Sequence, residues 1–143
     1  MDSRRSTSAM VVKMGTGAIS WSSKLQSIIT LSTTEAEYIS AVAAAQEIIW
    51  LRNLFREIGY EIKGASTLYL DNQSAIAVSR NPEHHGRMKH LDLRFYWLRD
   101  VCKAGLIDVK YLPTRQMPAD ILTKTLARPT VVEMCGLLGL RRD

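Results

Sequence analysis

At 143 residues, with 46% hydrophobic and 23% charged side chains, the chain has the composition of one globular domain, large enough to bury roughly 70% of the surface its unfolded form exposes. That composition excludes a mainly disordered chain, and no apolar run approaches the roughly 18 residues a membrane-spanning helix needs. A formal charge of +5 and a pI near 9.4 lean towards polyanionic partners.

Cys102 and Cys135 have neither the number nor the spacing of a disulfide framework or a zinc site, and they suit a reducing compartment. The opening MDSRRSTSAM is Arg- and Ser-rich. Asp2 and the strand-like run behind it favour a surface segment over a transit peptide.

In chain order, residues 9–13 and 18–23 read as two strands of a hairpin, with Gly15, Thr16 and Gly17 between them. From Thr33 to about Ile58 the pattern becomes one long helix. Ser32 or Thr33 can cap it, Glu35 and Glu37 favour its positive end, and Gly59 stops it. Ile39, Val42, Ala45, Ile49 and Leu54 recur at helical spacing, with Ala41, Ala44 and Ile48 alongside, so one broad face should be buried.

A strand over Thr67–Leu70 then delivers Asp71 to the start of a helix that Asn81 and Pro82 end near Arg80. After the polar EHHGRMKH, a helix is expected from about Lys89 to Lys103, ended by Ala104 and Gly105. LIDVKYL alternates as a strand closed by Pro113, MPADILTKTL reads as a short helix with Pro118 in its first turn, and the tail TVVEMCGLLGL reads as a last small helix. This order predicts a mixed α/β sheet flanked by helices. The expected domain covers residues 1–128, with 129–143 as a C-terminal tail.

Three acids stand where chemistry would put them. Asp71 ends a short apolar strand, at the sheet edge where ligands of α/β proteins bind. Glu37 lies in the first turns of the long helix, in line with Ala41, Ala44 and Ile48, and Asp120 begins the helix after the last strand. Singly, each has a plainer role: Glu37 against the helix dipole, Asp71 and Asp120 as N-caps. Brought together they would repel and need a cation to remain ionised, and hard carboxylate oxygens suit Mg²⁺ or Mn²⁺.

Four blocks carry a resemblance: WSSKLQSIITLSTTEAEYISAVAAAQEIIWLRNLFREIG, LYLDNQSAIAVSRNPEHHGRMKHLDLRFYWLRD, GLIDVKYLPTRQMPADILTKTL and LLGL. In order and spacing they resemble the ribonuclease H domain of copia-type retrotransposon Pol polyproteins, over nearly the whole chain. The resemblance implies a ribonuclease H-like fold, hydrolysis of the RNA strand of RNA–DNA hybrids by a two-metal mechanism, and a reverse transcriptase domain in the same polyprotein. It also implies a cytoplasmic site, in a virus-like particle, or a nuclear one. Residue by residue, it places the metal-binding and catalytic carboxylates at Glu37 of the AEY step, Asp71 of YLDNQSA and Asp120 of MPADILTK, with Glu35 the weaker choice on the helix.

The family's first aspartate lies on a central first strand ahead of the DSRRSTS stretch, and nothing precedes Met1 here. The sheet is therefore expected to lack its first, central strand, with two open backbone edges, a slot in the core, and little hydrolytic activity by this chain alone.

Asn72, Gln73 and Ser74 sit at a helix start that favours phosphate or an RNA 2′-hydroxyl, with Gln73 the better candidate through the resemblance, or they form only a polar helix start. Arg80, His84, His85, Arg87, Lys89, His90 and Arg94 form a basic stretch. It reads as a phosphate-tracking face, with Arg87 and Lys89 as contacts, or as a solvated connection. HHGRMKH fits no common zinc pattern. Trp21, Trp50 and Trp97 read as core anchors rather than base-stacking platforms. An integrase or transposase of related fold would place its glutamate after both aspartates, whereas Glu37 precedes Asp71. The same residues also suit a non-catalytic nucleic-acid-binding module or a degenerate retrotransposon fragment.

Overall fold

The chain opens with an antiparallel hairpin of β1 (Thr7–Met14) and β2 (Gly17–Leu25), paired from Thr7 with Leu25 to Met14 with Gly17. Gly15 takes a positive φ of 60° at the turn, a conformation that costs a residue with a Cβ far more. The register shifts between Val12 and Lys13, which bends the ribbon. The computed structural model describes residues 6–27, 32–80 and 92–141.

The expected long helix is α1 (Thr33–Glu57). Ser32 is its cap, with the Oγ accepting from the Glu35 N–H at 3.1 Å, and Gly59 terminates it with φ 87°. Tyr38, Ala41, Val42, Ala45, Ile48 and Leu51 are buried. Leu54, expected on the same face, is exposed, because the helix runs past the core there. β3 (Ser66–Leu70) and α2 (Gln73–Arg80) follow, then α3 (Asp92–Lys103) and β4 (Ile107–Tyr111). Lys89 to Leu91, where the sequence places the start of α3, lie outside the described residues. β4 pairs parallel with β3, from Ser66 with Ile107 to Leu70 with Tyr111.

After β4 come two short 3₁₀ helices, Thr114–Gln116 and Pro118–Leu122, and then α4 (Arg128–Leu137). The expected helix over MPADILTKTL is thus shorter and tighter. Its Asp120 N–H donates to Met117 O and its Thr123 N–H to Asp120 O, bonds of the three-residue kind that rarely propagate. The tail packs onto the hairpin. Met134 and Leu138 are buried, the Ala18 N–H donates to Leu138 O at 3.1 Å, and Gly139 lies against Thr16 and Gly17 with φ 77°.

The fold is the expected mixed α/β arrangement, consistent with a ribonuclease H-like one. Among the described residues the four strands form two separate pairs, β1–β2 and β3–β4. The unpaired sides of β1 and β3 both border one open cavity of about 1420 Å³. The main core lies between α1 and the strands, where Leu68, Ile76, Leu98, Ile107 and Val109 meet the α1 face.

Two of the three tryptophans depart from expectation. Trp21 is 66% and Trp50 57% exposed, and Trp97 alone packs against the core. Trp21 alternates with the half-buried Ser20 and Ser22 on β2, and the α1 face is filled by small residues and Tyr38. The apolar patterns around these tryptophans are therefore real, but the side turned inward is the neighbouring one.

Candidate functional site

The end of β3, the first turns of α1 and the second 3₁₀ helix come together at one end of the cavity, and Glu37, Asp71 and Asp120 all line it. Backbone direction explains the convergence. Gln26, just after β2, donates through Nε2 to Ala36 O at 2.8 Å, and its N–H donates to Ser6 O. These bonds fix the β1 start and the β2 end beside the α1 N-terminus. At the other end of the helix, Arg52 donates to Ser66 Oγ at 2.9 Å and to Ile62 O at 3.1 Å, so β3 starts near the α1 C-terminus and runs back towards Glu37.

Each carboxylate has its own surroundings. Glu37 is half-buried, its Oε2 is buried with no hydrogen-bond partner, and the Asn72 side chain donates to its carboxylate. Burial pushes its carboxyl above the usual range, with repulsion from Asp71 and Asp120 adding to the rise and Asn72 and Lys124 opposing it. Thr114 Oγ1 donates to Asp71 Oδ2 at 3.3 Å. Lys124 Nζ pairs with Asp120 Oδ2 at 2.8 Å, an i,i+4 contact half-exposed on the lysine side and, being open to solvent there, worth only about 0.2–1 kcal/mol. Glu37 thus feels both aspartates, yet among the described residues no group of three His, Cys, Asp or Glu stands close enough to hold a metal ion.

The plainer role for Asp71 is overturned, because the cap of α2 is its neighbour. Asn72 Oδ1 accepts from the Ser74 N–H at 2.8 Å and the Ala75 N–H at 3.1 Å, which leaves Asp71 facing the cavity. Asn72 is therefore a cap and a partner of Glu37 at once, while Gln73 and Ser74 are exposed at the helix start. Of the basic stretch, Arg80 ties α2 to β4 by donating to Val109 O at 2.8 Å, and Arg94 is exposed on α3. His84, His85, Arg87, Lys89 and His90 lie outside the described residues.

Lys124 and Thr114 escape a reading of the sequence, although the i,i+4 spacing of Asp120 and Lys124 is a visible signal. Nothing local announces Thr114, which reaches Asp71 across 43 positions. Gln26 is likewise a buried polar anchor of the hairpin on α1.

Over 144 residues, matching 100% of this chain, the sequence is 42% identical to the "Retrovirus-related Pol polyprotein from transposon TNT 1-94" of Nicotiana tabacum. The chain is homologous to part of copia-type retrotransposon Pol polyproteins. The corresponding polyproteins from transposons RE1 and RE2 of Arabidopsis thaliana are 34% and 37% identical over 96% and 94% of the chain. The chain spans only 11%, 9% and 9% of the length of these three relatives. No protein-family profile matches the chain, and no solved structure does.

Proposed function

We propose that this chain is a ribonuclease H-type domain of a retrotransposon Pol polyprotein, built to hydrolyse the RNA strand of RNA–DNA hybrids, with Glu37, Asp71 and Asp120 as its metal-binding acids. The observation that carries this reading is that all three acids line one cavity beside the end of β3, with the buried Oε2 of Glu37 unpaired. The homology to Pol polyproteins supports it, and a reverse transcriptase domain of the same polyprotein is the natural companion.

The donor set fits Mg²⁺ or Mn²⁺ in chemistry, since it offers hard oxygens and one of them lacks any other partner. Bound there, such ions would supply activation of a water molecule and neutralisation of phosphodiester charge. The chain's own residues bind and orient. Asn72 holds the Glu37 carboxylate, Thr114 holds that of Asp71, and the exposed Gln73 and Ser74 present polar groups beside them to a sugar-phosphate backbone. Lys124 occupies Asp120 and must yield it for a cation to take its place.

As the acids do not meet in one cluster, the chain by itself should bind hybrid while cleaving it feebly. The test uses a fluorescent RNA–DNA hybrid with Mg²⁺ or Mn²⁺, together with calorimetric titration of each metal. Weak cleavage lost in Asp71→Asn and Glu37→Gln, with metal heat lost in the same variants, is expected. Hybrid binding that survives both substitutions, with no cleavage at any metal concentration, would support a non-catalytic nucleic-acid-binding module. Absence of both binding and metal heat would refute either reading.

A further inference from the structure

Cations as well as acids gather where β3 ends. β4 lies parallel to β3, so the residues that follow each strand emerge at the acid end of the sheet. The loop after β4 holds Arg115, next to Thr114, whose Oγ1 donates to Asp71 Oδ2 at 3.3 Å. β2 ends at the same place, since Gln26 Nε2 donates to Ala36 O near the start of α1. There Ser23 Oγ donates to Leu122 O at 2.9 Å, which sets Lys24 beside the stretch that carries Asp120 and Lys124. Lys24 also borders a small recess with Ser40, one turn past Glu37.

Three positive side chains from three separate segments thus stand around the acids, and they differ in how free they are. Lys24 and Arg115 are exposed, and among the described residues neither forms an ion pair with an acid. Lys124 lines the cavity with the acids and is engaged by Asp120 Oδ2 at 2.8 Å. Other basic side chains serve the fold, as Arg52 does at the start of β3 and Arg80 on β4.

Cationic arms placed around a patch of carboxylates suit a ligand whose negative charges continue past the acids rather than end at one point. A nucleic-acid backbone is such a ligand. Its phosphates follow one another about every 3.4 Å along each strand, and a lysine head on its flexible stem or an arginine fork meets a phosphate in a charge-assisted hydrogen bond.

We propose that Lys24, Arg115 and Lys124 form a basic rim that holds the sugar-phosphate backbone of an RNA–DNA hybrid over the acid end of the sheet. The inference rests on the nuclease reading for the identity of its ligand, and it assigns backbone contacts outside the EHHGRMKH stretch. Lys24 and Arg115 are available at once, whereas Lys124 must first leave Asp120. Without a divalent ion its share is therefore the smallest.

The test follows binding of a fluorescent RNA–DNA hybrid to the full chain by anisotropy, in EDTA, over a salt series from about 50 to 200 mM. Lys24→Gln, Arg115→Gln and Lys124→Gln are compared with Arg56→Gln and Lys103→Gln. The last two remove the same charge at the opposite end of the sheet. Arg56 lies in the last turn of α1, one turn past the Arg52 that meets the start of β3, and Lys103 ends α3 just ahead of β4. Loss of one phosphate contact lowers the slope of log K against log salt by about 0.9, a factor of about 3.5 in affinity change over that range. That loss is expected in full for Lys24→Gln and Arg115→Gln, in part for Lys124→Gln, and in neither control. Equal effects of rim and control substitutions, an unchanged slope in Lys24→Gln or Arg115→Gln, or no binding by the wild type would overturn the rim. Cleavage of the same hybrid with Mg²⁺ separates the two readings. Cleavage that is lost in Asp71→Asn, while rim and control variants bind alike, sinks the rim alone. A rim-dependent slope with no cleavage at any Mg²⁺ concentration upholds the rim and sinks the nuclease.

Discussion

Replacing Glu37 by methionine should stabilise the protein although it removes an acid of the proposed site. The buried Oε2 has no hydrogen-bond partner, and an unsatisfied buried polar atom costs about 1–3 kcal/mol, more when charged. Methionine removes that penalty and is similar in length. It also forfeits the hydrogen bond from Asn72, worth about 1 kcal/mol. Because Glu37 is only half-buried, the net gain should fall near 1 kcal/mol, a rise in melting temperature of roughly 2–4 °C for a domain of this size.

The gain should depend on pH in a defined direction. The carboxyl of Glu37 titrates above its usual range, chiefly through burial. As pH falls, the folded state therefore takes up the proton before the unfolded state does, and the wild type gains stability between the higher folded and the lower unfolded value. Methionine has no such slope, so its advantage should be largest at pH 7 and smallest near about pH 4. Thermal denaturation of both proteins at the two pH values measures this directly. A variant less stable than wild type at pH 7, or an advantage equal at both pH values, would refute the reasoning.

Other perturbations probe the frame around the site. Leu98 is fully buried where α3 meets the core, so Leu98→Ala should cost about 2–5 kcal/mol in urea denaturation. Gly139→Ala combines a positive φ with a collision against the Thr16 carbonyl. It should cost more than about 1 kcal/mol and raise hydrogen exchange in α4 and the hairpin turn, whereas an unchanged exchange pattern would show that the tail contributes little. Trp21→Ala and Trp50→Ala, at exposed positions, should each change stability by less than about 0.5 kcal/mol. A loss of several kcal/mol on calorimetry would return these side chains to the core.

Much of the fold is legible in local chemistry. Ser32 and Gly59 mark the ends of α1 because a free N–H needs an acceptor and a positive φ needs glycine. Alternation locates β4, and Gly15 locates the hairpin turn. The tryptophans escape such reasoning because periodicity finds an apolar face without saying which neighbouring face meets the body. The second 3₁₀ helix is shorter than its residues suggest because a brief run of helix formers says little about whether packing will continue it.

At the site, the sequence by itself determined the three acids, their order along the chain and their positions at strand ends and helix starts. Homology to Pol polyproteins rests on the same linear order. Only the tertiary structure decided that Asn72, rather than Asp71, caps α2, that Thr114 and Lys124 engage two of the acids, and that Glu37 keeps one oxygen unpaired. The Asn72 cap and the Lys124 pair are local contacts, but the Thr114 bond to Asp71 and the unpaired oxygen of Glu37 depend on the direction of β3 relative to α1 and on side chains tens of residues apart. Such distances are set by packing, which no local pattern encodes. The open side shared by β1 and β3 is of the same kind, since an edge is defined by which strand lies beside it.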